Sequence, residues 1–365
     1  MDVHIADALA RACSRHLGGP ATIERLVRDS GGASRETWSF DAVVNGARHE
    51  LILRRDPPTM RADGAGSLPR ATEFHVLRAA FQAGVRAPEV LFELAVQDGL
   101  GEAYVMRRIG GTAIARKLLR DTPYAEARPR IAGQLGEILA HIHAVGLATL
   151  PPLATRQAGD GIALLRRQLD TLNYAQPVFE LALSWLDRRK PTPIAEPVLV
   201  HGDYRTGNYL VDENGVTAIL DWEGAHLGDP VEDLGWLCVK SWRFGAIDKP
   251  AGGFGSREQL WTAYERAGGQ RIDAARAHWW EIFGTVRWGI ICHTQAHKHL
   301  SGAQKSMELA SIGRRGRYYY NFWRDEKNPK GLWRRTTLAR YRARTPEWET
   351  VIDVDALARA EGEDW

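Results

Sequence analysis

The chain has 365 residues, too many for one core of ordinary size, so we expect two lobes or domains. Its composition of 25% charged and 44% apolar residues is ordinary for a globular protein, and its net charge of +3 gives no overall indication of a nucleic-acid partner. It has no run of 18 apolar residues, no secretion-signal pattern, and only three widely spaced cysteines, which make neither a disulfide framework nor a zinc motif. We therefore expect a reduced cytoplasmic protein that does not contact membranes.

The first hundred residues are predicted to be mainly strand. The runs TIERLVRD, ETWSFDAVV and HELILRR are separated by turn signals, and PEVLFELAV and EAYVMRR follow as further strands. One helix is predicted among them, from Leu68 to Phe81, because Phe74, Leu77 and Phe81 recur at helical spacing. The segment TMRADGAGSLPR is predicted to be a loop. This pattern predicts a small β-rich lobe.

The character changes to helix after a boundary near residues 106–112. An apolar stripe from Ile131 to Ile142 predicts one helix, and the ranges 162–174 and 178–189 predict two more. Short strands surround residues 198–221, and the chain is predicted to be helical for most of its length after Asp229. We predict an α+β protein with an N-lobe at 1–105, a hinge at 106–112 and a mainly helical C-lobe at 113–365.

Polar side chains cluster between the short strands in the run VLVHGDYRTGNYLVD, followed by AILDWEGAHLGDP. Asn208 lies five residues after Asp203, and Asp221 lies 13 residues after Asn208. Phosphoryl-transfer enzymes use an Asp to accept the proton of the attacking hydroxyl, an Asn five residues later to bind Mg²⁺, and a further Asp for the metal. Mg²⁺ prefers carboxylate and amide oxygens, so the residue types fit that chemistry.

The other parts of such a site can be sought upstream. The run SGGASR lies between two predicted strands, where backbone N–H groups of a glycine-containing hairpin can cover phosphates. Glu73 lies on the predicted N-lobe helix, and the third strand ends in Arg54 and Arg55, where the phosphoryl-transfer pattern has a lysine. We expect a cation from that strand to meet Glu73.

The run VLVHGDYRTGNYLVD with AILDWEGAHLGDPVEDLGW resembles the signature of the aminoglycoside phosphotransferase (APH) family, which includes choline kinase relatives and the kinase-like domains fused to acyl-CoA dehydrogenases. The resemblance spans roughly residues 20 to 300 and implies a bilobal protein-kinase-like fold. It implies that Asp203 is the catalytic base and that Asn208 and Asp221 bind Mg²⁺. It implies nucleotide contacts from the phosphate loop Ser30, Gly31, Gly32, Ala33 and Ser34, the ion pair Arg54 and Glu73, and the hinge residues Met106, Arg107, Arg108 and Ile109.

Arg54 departs from the lysine that many family members have at this position. Arginine and lysine are not interchangeable at a tight site, although arginine can still pair with phosphate or with Glu73. We expect an active ATP·Mg²⁺-dependent enzyme, with GTP left open as the donor. A nucleotide-binding pseudokinase that serves as a regulatory module is the alternative that Arg54 favours.

The acceptor is expected to be a small molecule with a hydroxyl group. Between Arg287 and Arg344 there are 14 Lys and Arg residues against three acidic ones. If this region lines the acceptor pocket rather than a solvated face, an anionic hydroxy acid or acyl-CoA-like acceptor fits better than a cationic aminoglycoside. An antibiotic kinase remains the alternative, and nucleic acid is disfavoured. The candidate acceptor contacts are Arg205, Trp222, Glu223, Arg287, Trp288 and His293.

Other polar residues have mainly structural interpretations. His201 is predicted to brace the loop through hydrogen bonds, and Asp229 to begin a helix, while Asp233 is left undecided. The histidines of ICHTQAHKH are interpreted as a polar helix face or pocket lining, because a third metal ligand is not evident. The oligomeric state is not predicted.

Overall fold

The computed structural model describes residues 2–28, 36–56, 67–172, 176–300, 312–315, 318–323, 327–328, 330–337, 340 and 347–361. The chain divides into two compact units. The first comprises Met1–Ile162 and Ser184–Thr285, and the second comprises Ala163–Leu183 and Val286–Trp365. The predicted hinge at 106–112 lies inside the first unit, and the division into lobes at that point stays a prediction.

An antiparallel five-stranded sheet forms the N-terminal part of the first unit. Its strands are β1 (Ala21–Arg28), β2 (Glu36–Val44), β3 (Ala47–Asp56), β4 (Val90–Glu93) and β5 (Glu102–Arg107), in the order β1-β2-β3-β5-β4. Asn45 and Gly46, both with positive φ, form the two-residue turn that joins β2 to β3. The five predicted strands are confirmed, as is the predicted helix, which forms α2 (Arg70–Gln82).

The prediction of a single helix in this part of the chain is wrong. A first helix, α1 (Asp2–Leu17), precedes the sheet and buries Ile5, Leu9 and Cys13 in the same hydrophobic cluster as Phe40 and Leu53. Its buried residues recur every three or four positions, which is the helical signal that the sequence carries. The helix covers one face of the sheet, because strands of this kind must bury their apolar face against another element.

A buried carboxylate ties three segments of this region together. The side chain of Asp41 on β2 is fully buried, and its oxygens lie 2.6 Å from guanidinium nitrogens of Arg25 and of Arg48 and 2.7 Å from one of Arg108. Burial raises the pKa of this carboxyl group, but the guanidinium groups of Arg48, Arg108 and Arg25 outweigh burial and hold the pKa below its usual value. The cluster joins β1 and β3 to the predicted hinge.

Replacing Asp41 with asparagine should lower the free energy of unfolding at pH 7 by about 1 to 3 kcal/mol, a range that allows for the exposure of the three arginines. Because the pKa of Asp41 is lowered in the folded protein, its stabilisation is present above the unfolded pKa of about 3.9 and is lost as the pH falls below that value. Chemical denaturation at pH 7 and near pH 3 should show the difference shrinking at the lower pH. Glu24→Gln, which removes the exposed partner of Arg48, should cost under about 1 kcal/mol.

The rest of the first unit is built on helices. They are α3 (Ala115–Arg120), α4 (Arg128–His143), α7 (Val231–Leu237) and α8 (Arg257–Arg266), together with parts of α5 (Ala158–Asp170), α6 (Pro177–Arg188) and α9 (Ala274–Leu300). The predicted stripe on α4 is confirmed, since Ile131, Leu135 and Ile142 are fully buried. Two short antiparallel pairs carry the motif: β6 (Val198–Val200) pairs with β9 (His226–Gly228), and β7 (Tyr209–Asp212) pairs with β8 (Gly215–Ile219).

The second unit contains strands where helix was predicted. An antiparallel four-stranded sheet is formed by β10 (Ile312–Arg315), β11 (Tyr318–Trp323), β12 (Leu332–Thr337) and β13 (Glu349–Asp353), and is followed by α10 (Val354–Glu361). Its runs YYYNFW and LWRRTT are rich in the aromatic and β-branched residues that favour strands. No helix within the described ranges combines the length and apolarity needed to cross a membrane.

Candidate functional site

The loop between β6 and β7 carries the central residues of the motif, and His201 braces it. The imidazole is fully buried, and burial lowers its pKa, which keeps the ring neutral near pH 7. Its Nδ1 accepts the backbone N–H of Asp203 (3.2 Å), and its Nε2–H donates to the carbonyl oxygen of Leu220 (2.9 Å). His201 therefore has the bracing position that the sequence predicts.

Asp203 holds a partly exposed carboxylate within reach of three donors. The Nδ2 of Asn208 donates to its Oδ2 (2.6 Å), and the indole N–H of Trp236 donates to its Oδ1 (2.8 Å). Arg205 lies 3.2 Å and 3.3 Å from the two oxygens through its Nε. The structure thus brings Asp203 and Asn208 together, and it adds Trp236, which the sequence did not indicate.

The buried carboxylate of Asp233 on α7 fixes the backbone of the same loop. It accepts the N–H groups of His201 (2.7 Å) and Gly202 (2.9 Å), and it lies 3.4 Å from the Nε2 of His143. Burial raises the pKa of Asp233, whereas His143, His201 and the hydrogen bonds lower it, and the net shift is downward. The carboxylate is therefore held ionised beneath the loop. This residue was undecided from the sequence, and its structural role is now clear.

Two glycines pack the loop against the segment that follows β8. Gly202 has φ of +78°, and a Cβ placed on it would lie 2.2 Å from the carbonyl oxygen of Gly224. No side chain fits there without moving the backbone. The loop that carries Asp203 and the segment that follows Asp221 are therefore in direct backbone contact.

Asp221 and Arg54 form an ion pair that also includes Glu73. Asp221 has φ of +60°, in the left-handed region, and its Oδ1 contacts the Nη1 of Arg54. The Nη2 of Arg54 lies 3.6 Å from the Oε1 of Glu73 on α2. Burial alone would lower the pKa of Arg54, but Glu73 and Asp221 outweigh it and raise the pKa well above its usual value. Burial would raise the pKa of Asp221, and the Arg54 guanidinium lowers it below its usual value.

A second buried arginine, which the sequence analysis missed, lies beneath this ion pair. Arg70 is 1% exposed, contacts Glu73 one helical turn along α2, and lies 3.5 Å from Glu223. The backbone N–H of Leu68 also donates to the carbonyl oxygen of Glu223 (2.7 Å). The start of α2 is thus bound to the segment after Asp221 by both backbone and side chain. The i,i+3 spacing of Arg70 and Glu73 was the signal available in the sequence.

Of the predicted nucleotide contacts, the structure describes the hinge residues but not the phosphate loop. The phosphate-loop residues Ser30, Gly31, Gly32, Ala33 and Ser34 lie outside the described residues. In the predicted hinge, Met106 is buried and Ile109 is half-buried, while Arg107 pairs with Glu89. Arg108 pairs with Asp41 and, at 2.7 Å, with Glu50. The guanidinium groups of Arg107 and Arg108 are therefore engaged with carboxylates on, or directly before, strands of the sheet.

The predicted acceptor contacts fall into different settings. Trp222 is 1% exposed and donates its indole N–H to the carbonyl oxygen of Ile219 (3.1 Å), so it packs in the core and does not face an acceptor. Glu223 is engaged by Arg70 and lies 3.8 Å from Arg54. Arg205 is the member that lies beside Asp203, and its guanidinium stacks on the ring of Trp242 at 4.6 Å.

Three other predicted acceptor contacts lie on α9 in the second unit. They are Arg287, Trp288 and His293. The ring of His293 meets that of Phe179 edge-on at 5.2 Å, and burial lowers its pKa. Their contact with an acceptor stays a prediction.

The donor atoms near Asp221 fit a hard divalent cation. Since the Nδ2 of Asn208 faces Asp203, its Oδ1 is an amide oxygen of the kind that Mg²⁺ uses, and Asp221 supplies carboxylate oxygens. Within the described part of the chain, no group of three or more His, Cys, Asp or Glu side chains could hold a metal ion. Two oxygen donors, one amide and one carboxylate, suit Mg²⁺, which is usually bound by one or two carboxylates together with substrate phosphates and water.

Comparison with known proteins identifies the family to which this arrangement corresponds. The model of the phosphotransferase enzyme family, APH, matches residues 25–269. Acyl-CoA dehydrogenase family member 11 of Gallus gallus is 31% identical over 200 residues, which are 51% of this chain and 24% of that protein. The chain thus spans about a quarter of the length of the curated relatives that it matches first.

Solved structures share the fold. A Ralstonia eutropha protein provisionally assigned as an aminoglycoside phosphotransferase is similar with a TM-score of 0.64 and 22% identity, over 83% of this chain and 92% of that one. Spectinomycin phosphotransferase, solved with ADP and spectinomycin, has a TM-score of 0.56 and 13% identity, over 83% and 92%. These similarities confirm the predicted protein-kinase-like α+β fold.

Proposed function

The chain belongs to the phosphotransferase enzyme (APH) family, and we propose that it transfers the γ-phosphoryl group of ATP to a hydroxyl group of a small molecule. The observation that carries the proposal is the arrangement of two side-chain pairs in the first unit, Asp203 with Asn208 on one loop and Arg54 with Asp221. The backbone N–H of Leu220, next to Asp221, donates to the carbonyl oxygen of Asn208 (2.8 Å) and joins the two pairs. Phosphoryl transfer requires positioning and charge neutralisation more than covalent chemistry, and these residues supply both.

Asp203 would orient the acceptor hydroxyl and accept its proton as the oxygen attacks the γ-phosphorus in line. The new O–P bond forms as the bond to the β–γ bridging oxygen breaks, and ADP leaves. Asn208 and Asp221 would hold Mg²⁺, which neutralises charge on the phosphates when it is bound. Arg54, placed between Asp221 and Glu73, would add a fixed positive charge beside those phosphates.

The surroundings of Asp203 support an acceptor that carries an acidic group. The side chain of Arg205 is 26% exposed, and its Nε lies 3.2 Å from the carboxylate of the proposed base Asp203. From this position the guanidinium could pair with a carboxylate or phosphate of the acceptor. We propose a hydroxy acid or an acyl-CoA-like acceptor. The similarity to acyl-CoA dehydrogenase family members supports the second of these, and the fold shared with antibiotic phosphotransferases supports an antibiotic kinase as the alternative.

Mg²⁺-dependent binding of nucleotide is the first test of this function. ATP with Mg²⁺ at 100 times its dissociation constant should stabilise the wild type by about 2.7 kcal/mol, which raises the melting temperature. Asp221→Asn should lose the Mg²⁺-dependent part of this shift, because it removes the carboxylate charge. Differential scanning fluorimetry with ATP and with GTP, each with and without Mg²⁺, measures both effects.

The control is Asp7→Asn, which removes an exposed carboxylate from α1 and should keep the full shift. Absence of a shift with either nucleotide in the wild type would contradict the proposed function. A shift without turnover on hydroxy acids, hydroxyacyl-CoA esters, aminoglycosides or macrolides would instead favour a nucleotide-binding regulatory module.

A further inference from the structure

Helix α7 contacts the loop of Asp203 at two points on one helical face. The carboxylate of Asp233 accepts the backbone N–H groups of His201 and Gly202, and three residues later the indole of Trp236 donates to the side chain of Asp203. Residues three apart on a helix lie on the same face. The helix therefore fixes both the backbone of the loop and the side chain that the loop presents.

The three donors to Asp203 differ in their exposure, their distance from the carboxylate and their other proposed roles. The amide group of Asn208 belongs to the proposed metal site, and Arg205 is partly exposed and reaches Asp203 only at 3.2 Å and 3.3 Å. Trp236 is 3% exposed, and its N–H lies 2.8 Å from the Oδ1 of Asp203. An indole has two side-chain torsions and one donor, so a buried indole holds its partner in a single direction.

Further aromatic packing fixes the indole itself. The ring centroids of Trp236 and Trp242 are 5.2 Å apart, and the two ring planes meet at 63°. The guanidinium of Arg205 lies over the ring of Trp242. A Cβ on Gly284 of α9 would lie 3.0 Å from the Trp236 ring, so α9 also packs closely against it. The orientation of the indole N–H is thus set by the surrounding core.

We propose that Trp236 is a positioning residue that orients the carboxylate of Asp203 for phosphoryl transfer. The proposal rests on the proposed function of Asp203. The hydrogen bond from Trp236 to Oδ1 sets the plane of the carboxylate, so that an oxygen is directed at the attacking hydroxyl. Misplacement of a reacting group by about 1 Å can lower a rate by about 100-fold, so loss of one orienting donor has a measurable cost.

Trp236→Phe tests this role, because it keeps an aromatic ring and removes the N–H donor. Since the acceptor is not identified, the probe is hydrolysis of Mg·ATP, in which water takes the place of the hydroxyl. We expect kcat to fall about tenfold while KM for ATP changes less than twofold, since the change is confined to the orientation of the base.

Trp279→Phe is the matched control. It removes another buried indole N–H, which donates to the carbonyl oxygen of Leu186 (3.1 Å), and leaves Asp203 untouched. We expect the two variants to lose similar amounts of thermal stability, and Trp279→Phe to keep the kcat of the wild type. Equal kcat values for the two variants would overturn the positioning role.

A spectroscopic measurement tests the contact without turnover. In the ¹H–¹⁵N spectrum, the indole resonance missing from Trp236→Phe identifies Trp236, and Asp203→Asn should move this resonance upfield because a charged acceptor is lost. The Trp279 resonance should not move. An unshifted Trp236 resonance would show that the bond to Asp203 is absent and would overturn the proposal.

The two levels of the proposal fail in different ways. A wild type that neither binds nor hydrolyses Mg·ATP would contradict the proposed function, and with it the positioning role. A wild type that turns over ATP, with an equally active Trp236→Phe, would contradict the positioning role alone.

Discussion

Replacing Asp203 with asparagine should lower kcat for phosphoryl transfer by about 10² to 10⁴, the range expected when a general base is removed. The amide keeps the size of the side chain but cannot accept the hydroxyl proton. Binding of Mg·ATP should persist, because the proposed metal ligands Asn208 and Asp221 are unchanged. Hydrolysis of Mg·ATP, in which water takes the place of the acceptor hydroxyl, and the thermal shift with Mg·ATP measure the two effects separately.

The comparison protein for this experiment is Asp7→Asn, which changes an exposed carboxylate and should retain wild-type turnover. Retention of more than about a tenth of the wild-type kcat by Asp203→Asn would contradict its assignment as the base. Loss of the Mg·ATP shift together with turnover would show instead that Asp203 contributes to the metal site.

Asp233→Ala should have the largest effect on stability, lowering the free energy of unfolding by about 3 to 5 kcal/mol, the cost of removing one partner from a buried charged network. The substitution leaves the buried N–H groups of His201 and Gly202 without the carboxylate that they share. It should also lower kcat, because the loop that carries Asp203 loses its attachment to α7. Thermal and urea unfolding followed by circular dichroism measure the first effect.

Asp233→Asn tests how much of the stability loss comes from the missing hydrogen-bond acceptor. Its amide oxygen can still accept one of the two loop N–H groups, so it should lose less stability than Asp233→Ala. If Asp233→Ala unfolds at the same urea concentration as the wild type, the loop does not depend on this carboxylate.

The core of the candidate site was predictable because its residues follow a fixed spacing. Asp203 and Asn208 are five residues apart, and the eight-residue loop between β6 and β7 brings the amide to the carboxylate. Arg54 and Glu73 were predicted to meet, and they lie 3.6 Å apart. The first contact follows from a local spacing, and the second from the pattern of a third-strand cation and a helix glutamate together with the family resemblance.

The residues that support the site were not predictable in the same way. Trp236 contacts Asp203, which lies 33 residues earlier in the sequence. Arg70, at the start of α2, contacts Glu223, which follows β8. Such contacts depend on which helix face meets which loop, and a single sequence does not state this. Asp233 was visible only as one of several acidic residues near a helix start.

The fold shows the same division between local and long-range information. The N-terminal strands follow from their composition and turns, whereas α1 was overlooked even though its apolar residues recur with helical spacing. Strands β10 to β13 lie in a region that was predicted to be helical, because helix was expected for most of the chain after Asp229. Their aromatic and β-branched residues were the contrary signal.

The contact between Gly202 and Gly224 has a consequence for how proteins built this way can diverge. Two backbone segments, one carrying the proposed base and the other following a proposed metal ligand, touch where no side chain fits. A side chain at position 202 would force the two segments apart and change the spacing between the proposed base and the proposed metal ligand. We therefore expect differences in acceptor preference between proteins of this design at residues around this contact rather than at Gly202.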